Sequence, residues 1–85
     1  MSALLSPVYL HDVRAPDLDA IADLESRAFP IPWKREYFAA EVGAPHRFNR
    51  VARDEHGRLV GYVFCAFAAG EIHVNKIAVE VVWRR

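Results

Sequence analysis

Cysteine is almost absent from this sequence, and so is any excess of charge of one sign. The chain of 85 residues has one cysteine, Cys65, so it can form neither an internal disulfide nor a cysteine metal cluster. This scarcity fits a reducing compartment, and we expect a cytoplasmic protein. Eleven basic residues balance eleven acidic ones, which argues against a nucleic-acid partner bound through bulk charge.

Long hydrophobic runs and a leader are missing as well. The first six residues carry no basic flank, so no signal peptide is expected. The longest uncharged stretch, Leu59 to Gly70, is too short to cross a bilayer, and we expect no membrane partner. His11, His46 and His56 lack the spacing of metal ligands, so no metal is expected either.

What remains is the composition of one small globular domain. Hydrophobic residues make up 53% and charged residues 26% of the chain, which excludes a disordered tail. Residues 1–41 hold four basic and seven acidic residues (net −3), and residues 42–85 hold seven and four (net +3). An anionic ligand is therefore expected to meet the second half of the chain.

Hydrophobic periodicity and turn residues predict an α+β fold. The expected order is strand, helix, helix, strand, strand, strand, in a mixed but mostly antiparallel sheet. Pro16 suits the first position of a helix, and Pro30 prevents that helix from continuing. The apolar third strand is expected to be central and covered on both faces. The predicted elements are strand 8–14, helix 15–29, helix 34–42, and strands 47–54, 59–68 and 71–81.

The apolar alternation of the last strand slips by one residue. Ile72 and Val74 share one phase, whereas Ile77, Val79 and Val81 share the opposite phase. A β-bulge near residues 75–76 explains the slip, because it sets two residues opposite one. A regular strand with two covered faces explains it equally well.

Three short motifs follow one another along the chain. They are Asp17-Leu18-Asp19-Ala20-Ile21 leading to Leu24-Glu25, then Phe29-Pro30-Ile31-Pro32-Trp33, then His73-Val74-Asn75-Lys76-Ile77-Ala78-Val79 followed by Trp83-Arg84-Arg85. In this order they resemble the first helix, the loop between the first two helices, and the fourth strand of GNAT-superfamily acetyl-CoA-dependent N-acetyltransferases. The resemblance is greatest to the RimI-type and archaeal enzymes that acetylate protein N-termini.

The resemblance covers the whole chain but only the N-terminal half of the family fold. It implies that residues 1–85 form a single partial domain. The family continues with a glycine-rich turn and a helix whose N-terminus binds the pyrophosphate of coenzyme A, and then with a fifth strand. The sequence ends before both. Glu80 stands near the place where the family usually has a proline, so we expect a less rigid turn there.

The resemblance implies two catalytic positions. His73 matches a histidine that helps to hold the water which takes the proton of the acceptor ammonium. Val79 matches the position whose backbone N–H stabilises the oxyanion. The alternative for His73 is a surface residue on a strand. In the family, this histidine has a partner on the fifth strand, and a tyrosine returns a proton to the thiolate. Both positions would follow Arg85.

The resemblance also implies the ligand contacts. The two arginines would neutralise phosphates, and the two-proline loop would form a rigid, apolar floor for an extended peptide. The cofactor-binding residues would be Ile77, Ala78, Val79, Arg84 and Arg85. The substrate-binding residues would be Phe29, Pro30, Ile31, Trp33 and Asn75.

Plainer structural roles remain open for several of these residues. Ile77 and Val79 also suit a core, and Phe29 and Trp33 could simply cover it. The arginine pair could be no more than a basic terminus. Cys65, in an apolar strand, is expected to be a packed thiol rather than a nucleophile.

The function implied is transfer of acetyl from acetyl-CoA to the α-amine of a protein or peptide N-terminus, possible acceptors including ribosomal proteins. We expect the 85 residues alone to be inactive, because half of the family site is missing, and whether this chain acts as an enzyme stays open. The alternative is a non-catalytic half-domain that forms a homo-oligomer or complements a separate C-terminal half. An exposed edge strand rich in Ile and Val favours such pairing.

Overall fold

The computed structural model describes residues 7–83, which form an α+β fold. One antiparallel sheet has the strand order β1-β2-β3-β4. The two helices lie between β1 and β2 in the sequence, so the predicted fold class and element order are confirmed. The elements are β1 (Val8–Asp12), α1 (Leu18–Ala28), α2 (Arg35–Val42), β2 (Arg47–Asp54), β3 (Leu59–Ala68) and β4 (Glu71–Val79).

β1 is shorter than its sequence pattern predicted. The backbone N–H of Val13 still donates to the carbonyl of Asn49 at 3.1 Å. The N–H of Arg14 instead donates to Asp17 Oδ2 at 2.8 Å, which turns the chain into a 3₁₀ turn at Ala15–Asp17. The prediction that this strand reaches residue 14 was therefore wrong by two residues, because the 3₁₀ turn leads the chain away from β2 directly after Val13.

α1 follows the 3₁₀ turn and ends where the prolines predicted. Its buried apolar residues Leu18, Ile21 and Leu24 recur at steps of three and face the sheet. Phe29 takes an extended conformation, and Pro30 cannot continue the helix. Neither helix in the described part of the chain has the length and apolar content that a membrane span requires.

The core lies between the two helices and one face of the sheet. Phe38 of α2 is fully buried and contacts the rings of Tyr62 and Phe64 at centroid distances of 5.7 and 5.0 Å. Ile21 of α1 and Val51 of β2 complete the layer. Aromatic side chains bury the most area per residue, which suits a chain this short.

The opposite face of the sheet carries no helix in residues 7–83. We expected β3 to be covered on both faces, but helices cover only the side of Tyr62 and Phe64. The prediction was wrong on this point, because α1 and α2 pack on the same side of the sheet. The large apolar side chains left exposed on the helix-free face include Leu10, Phe48, Phe67, Ile72, Val74 and Ile77.

β4 contains the predicted bulge. Phe64 lies opposite Lys76, whereas the next residue, Cys65, lies opposite Val74. Asn75 is therefore the extra residue, and the slip in alternation is explained by the bulge rather than by two covered faces. As a result, Ile72 and Val74 before Asn75 and Ile77 and Val79 after it point to the helix-free face, whereas Ala78 belongs to the core on the other face.

Candidate functional site

A cleft lies where the end of α1 meets the edge strand β4. Its volume is about 420 Å³, and it is lined by Ala28, Phe29, Ile77, Ala78 and Val79. The fold thus brings together one predicted substrate-binding residue and three predicted cofactor-binding residues that lie almost 50 positions apart. The lining is apolar, as a cleft for a thioester arm requires.

The Phe29–Trp33 loop borders this cleft. Pro30 and Pro32 restrict its backbone, and the Ile31 side chain is 87% exposed. Trp33 packs against Phe38, with ring centroids 5.2 Å apart. Phe29 and Trp33 are both half-buried against the core, so the loop is fixed at its two ends while its tip stays accessible.

The β4 backbone approaches β3 closely beside the cleft. Gly61 lies opposite Val79, and a Cβ added at Gly61 would come within 3.0 Å of the carbonyl oxygen of Ala78. Any larger residue at Gly61 would push this part of β4 outward. Gly61 therefore sets the position of the strand segment to which we assigned the oxyanion donor and the acetyl arm.

A buried carboxylate connects the loop to the sheet. Glu25, in α1, is fully buried, and its Oε2 accepts hydrogen bonds from the backbone N–H of Trp33 at 2.9 Å and from Lys76 Nζ at 2.8 Å. Its Oε1 accepts a hydrogen bond from the hydroxyl of Tyr62. Three donors thus satisfy a charge that would otherwise be costly to bury.

The ammonium of Lys76 lies between this carboxylate and two aromatic rings. Lys76 Nζ is 3.6 Å from the ring centroid of Phe29 and 5.6 Å from that of Trp33. Both distances suit cation–π attraction. The lysine is therefore surrounded by Glu25 and by the two aromatic residues of the predicted acceptor loop.

The cluster shifts the acidity of its members. Burial raises the pKa of Tyr62, and its hydrogen bond to Glu25 raises it further. Burial also pushes the pKa of Glu25 upward, but the hydrogen bonds from Lys76, Trp33 and Tyr62 outweigh burial, so this pKa lies below its ordinary value. Glu25 is consequently ionised and Tyr62 consequently neutral at neutral pH.

The predicted catalytic histidine lies on the exposed part of β4 before the bulge. His73 is opposite Ala66, and its Nε2 is 3.3 Å from Oε1 of Glu71. Since Ala66 follows Phe64 by two residues, His73 shares the face of the sheet that carries the helices. His73 is not among the residues that line the cleft, so the structure does not bring this predicted catalytic residue together with residues 77–79.

The chain that leaves β4 is held against α1. Arg27 donates to both carboxylate oxygens of Glu80, at 3.0 and 2.7 Å. This bidentate pair and the bonds to Asp23 raise the pKa of Arg27 above its usual value. A 3₁₀ turn at Val81–Trp83 follows, so β4 ends at Val79 and the prediction that this strand reaches residue 81 was wrong. The predicted phosphate-binding residues Arg84 and Arg85 lie outside the described residues.

Glu25, Lys76, Tyr62 and Gly61 were missed as site residues by the sequence analysis. The sequence did indicate that Glu25 is buried, because Glu25 follows Ile21 by four residues and so falls on the apolar stripe of α1. A carboxylate at such a position requires a buried partner. No sequence signal identified Lys76 as that partner, since the register that brings it to the helix depends on the bulge.

The described residues contain no cluster of three or more His, Cys, Asp or Glu side chains able to hold a metal ion. Cys65 is buried in β3, as expected of a packed thiol.

Comparison with known proteins identifies the fold. The chain matches no protein-family model, and no curated protein matches its sequence. Solved structures match it clearly. One is the ribosomal-protein-S18-alanine N-acetyltransferase of Escherichia coli, with a TM-score of 0.79 and 22% identity over 93% of this chain and 50% of that one.

Two further structures show that the fold serves different acceptors. Naa50 of Arabidopsis thaliana in complex with a bisubstrate analogue, CoA-Ac-MVNAL, has a TM-score of 0.72 and 23% identity over 92% of this chain and 54% of that one. The aminoglycoside 6′-N-acetyltransferase of Acinetobacter baumannii has a TM-score of 0.74 and 10% identity over 91% and 60%. The chain thus has the fold of GNAT acetyltransferases and spans 50–60% of the length of these structures.

Proposed function

We propose that this chain forms the first half of an acetyl-CoA-dependent N-acetyltransferase whose acceptor is the α-amine of a protein or peptide N-terminus. The observation that carries the proposal is the cleft between Phe29 and β4, which joins the acceptor loop to residues 77–79. Two of the structures with this fold have names or ligands that include a protein or peptide acceptor. We also propose that the protein acts in the cytoplasm.

In this proposal the cleft holds the acetyl group and the pantetheine arm. Ile77, Ala78 and Val79 line the arm, and their apolar side chains exclude water from the thioester. The acceptor peptide lies along the Phe29–Trp33 loop with Asn75 at its side. Arg84 and Arg85 neutralise phosphates of the cofactor.

The reaction is direct attack of the neutral amine on the thioester carbonyl. His73 takes the ammonium proton through a water molecule before attack. The amine nitrogen then bonds to the carbonyl carbon, and the backbone N–H of Val79 stabilises the oxyanion. Collapse breaks the carbon–sulfur bond and releases coenzyme A as a thiolate, while the nitrogen of the new amide loses its second proton to solvent water. No residue of this chain is assigned to protonate that thiolate, so the chain alone is proposed to bind its ligands without efficient turnover.

Calorimetric titration of acetyl-CoA into the 85-residue chain tests the proposal. We expect saturable binding, and we expect Ile77→Glu to weaken it about tenfold or more because a charge would enter the apolar cleft. Ile72→Glu is the matched control, since Ile72 is exposed on the same face of β4 but lies before the bulge. An absence of binding by the folded chain, or equal loss in both variants, would contradict the proposal.

A second candidate function is supported by the bare face of the sheet. An apolar face this extensive marks an interaction surface in a soluble domain, and β4 is an edge strand among the described residues. The chain would then be a non-catalytic half-domain that pairs with a second copy or with a separate C-terminal half. Binding of acetyl-CoA to the chain would favour the first function over this one.

A further inference from the structure

The ion pair of Glu25 and Lys76 lies beneath the acceptor loop and not on the surface. Glu25 is fully buried and the side chain of Lys76 is 14% exposed. Burying two charges costs more free energy than a pair of apolar residues of similar size. Stability alone therefore gives little reason to place this pair at the apolar stripe of α1.

The geometry of the pair gives a better reason. Lys76 directly follows the bulge residue Asn75, so its backbone belongs to the segment of β4 that borders the cleft. The Glu25 carboxylate also accepts from the backbone N–H of Trp33, at the far end of the acceptor loop. One carboxylate thus contacts both the loop and the strand that border the cleft.

The aromatic contacts of Lys76 act in the same direction. Its ammonium lies against the rings of Phe29 and Trp33, the first and last residues of the loop. The loop is consequently held at both ends by a single side chain that extends from β4. A loop attached only through apolar contacts would be free to slide relative to the strand.

We propose that Glu25 and Lys76 are positioning residues that hold the Phe29–Trp33 loop at a fixed distance from β4 and so set the width of the cleft between Phe29 and β4. The catalytic consequence rests on the proposed function, because amide formation requires the acceptor amine and the thioester to be aligned within a few tenths of an ångström. The structural part, an ion-pair latch on the loop, stands independently of that function.

Amide hydrogen exchange followed by NMR tests the latch directly. We expect Lys76→Met to accelerate exchange of the Trp33 N–H roughly tenfold, because its acceptor loses the partner that orients it. Amides in the β2–β3 ladder, such as those of Val51 and Phe64, should change about twofold or less. Lys76→Arg should restore the protection, and Lys34→Met is the matched control, as Lys34 is the chain's other lysine and is exposed.

A double variant covers the case in which Lys76→Met fails to fold. Glu25→Gln combined with Lys76→Met leaves no unpaired buried charge, because the new amide oxygen can accept from the Trp33 N–H while the new NH₂ donates to the hydroxyl oxygen of Tyr62. We expect this variant to fold while the Trp33 amide still exchanges faster than in the parent chain. Unchanged Trp33 protection in a folded variant without Lys76 would overturn the proposal.

Ligand binding then separates a positioning role from a purely structural one. In the presence of coenzyme A, we expect Lys76→Met to weaken binding of a short peptide that begins with alanine about tenfold, while acetyl-CoA affinity stays within about twofold. Equal losses for both ligands would contradict the positioning role. If the parent chain binds neither ligand, the proposed function fails, and the exchange measurement still decides whether the latch exists.

Discussion

At the scale of single residues, the hydroxyl of Tyr62 is the most sensitive part of the core. It donates to a carboxylate that has no access to water. Tyr62→Phe preserves the ring packing but leaves one oxygen of Glu25 without a donor. We expect a loss of about 1–3 kcal/mol in the free energy of unfolding, measured by urea denaturation.

Tyr37→Phe is the matched control for this substitution, because Tyr37 is exposed on α2. This substitution removes a hydroxyl that is already in contact with water, so we expect the free energy of unfolding to change by less than about 0.5 kcal/mol. Equal effects at the two positions would show that the hydrogen bond to Glu25 contributes nothing.

The acidic groups predict how stability depends on pH. Burial opposes ionisation of Asp17, but hydrogen bonds, chiefly from Arg53, outweigh it and lower its pKa below the ordinary value of 3.8. Burial likewise opposes ionisation of Glu25, but hydrogen bonds, chiefly from Lys76, lower its pKa below the ordinary value of 4.5. The unfolded chain therefore binds more protons as the pH falls below those values. Stability is full above about pH 5 and is lost as the pH falls through the native pKa values.

Urea denaturation between pH 6 and pH 3 measures this loss. Glu25→Gln is expected to flatten the acid limb, because the amide cannot take up a proton in the unfolded chain. Glu36→Gln, at an exposed position of α2, should leave the limb unchanged. A curve that is flat across this range in the parent chain would contradict the assignment.

At the scale of elements, the contact between β3 and β4 depends on Gly61. A methyl group there would meet the carbonyl oxygen of Ala78 at 3.0 Å. We expect Gly61→Ala to cost about 1–3 kcal/mol and to weaken acetyl-CoA binding, because the strand that lines the cleft would move outward. Thermal unfolding and calorimetry measure the two effects.

Gly43→Ala provides the comparison for Gly61→Ala. Nothing lies within 4 Å of a Cβ built at Gly43, so a substitution there is expected to change neither stability nor binding appreciably. Loss of stability at both glycines alike would point to general backbone effects rather than to strand separation.

The elements themselves were largely predictable, whereas their contacts were not. Apolar spacing and proline positions identified both helices, and β2 and β3 have their predicted bounds. The slip in the apolar alternation of β4 was consistent with a bulge, but a regular strand covered on both faces would show the same pattern. The Glu25–Lys76 contact depends on that register and on how α1 lies on the sheet, which are tertiary facts that local patterns do not contain.

At the scale of the whole molecule, the bare sheet face predicts self-association. Ile72 and Val74 are exposed on the edge strand and share that face with Leu10 and Phe48. Water contact with so much apolar surface favours pairing of two copies. We expect analytical ultracentrifugation to show dimers or larger species at micromolar concentration.

Replacing Ile72 and Val74 together by Lys is expected to shift this equilibrium towards monomer, because charges on an edge strand oppose pairing. Val82→Lys serves as the control, since Val82 is more exposed than either residue but lies beyond β4. A parent chain that sediments as a stable monomer at all concentrations would contradict this prediction.

The central claim is that the cleft between Phe29 and β4 receives the thioester end of acetyl-CoA. Titration of acetyl-CoA into ¹⁵N-labelled chain, followed residue by residue by NMR, tests it most directly. The account predicts saturable shifts concentrated at Phe29 and residues 77–79, with little change in β1. Shifts confined to the helix-free face around Leu10 and Phe48, or no saturable shifts in the folded protein, would contradict it.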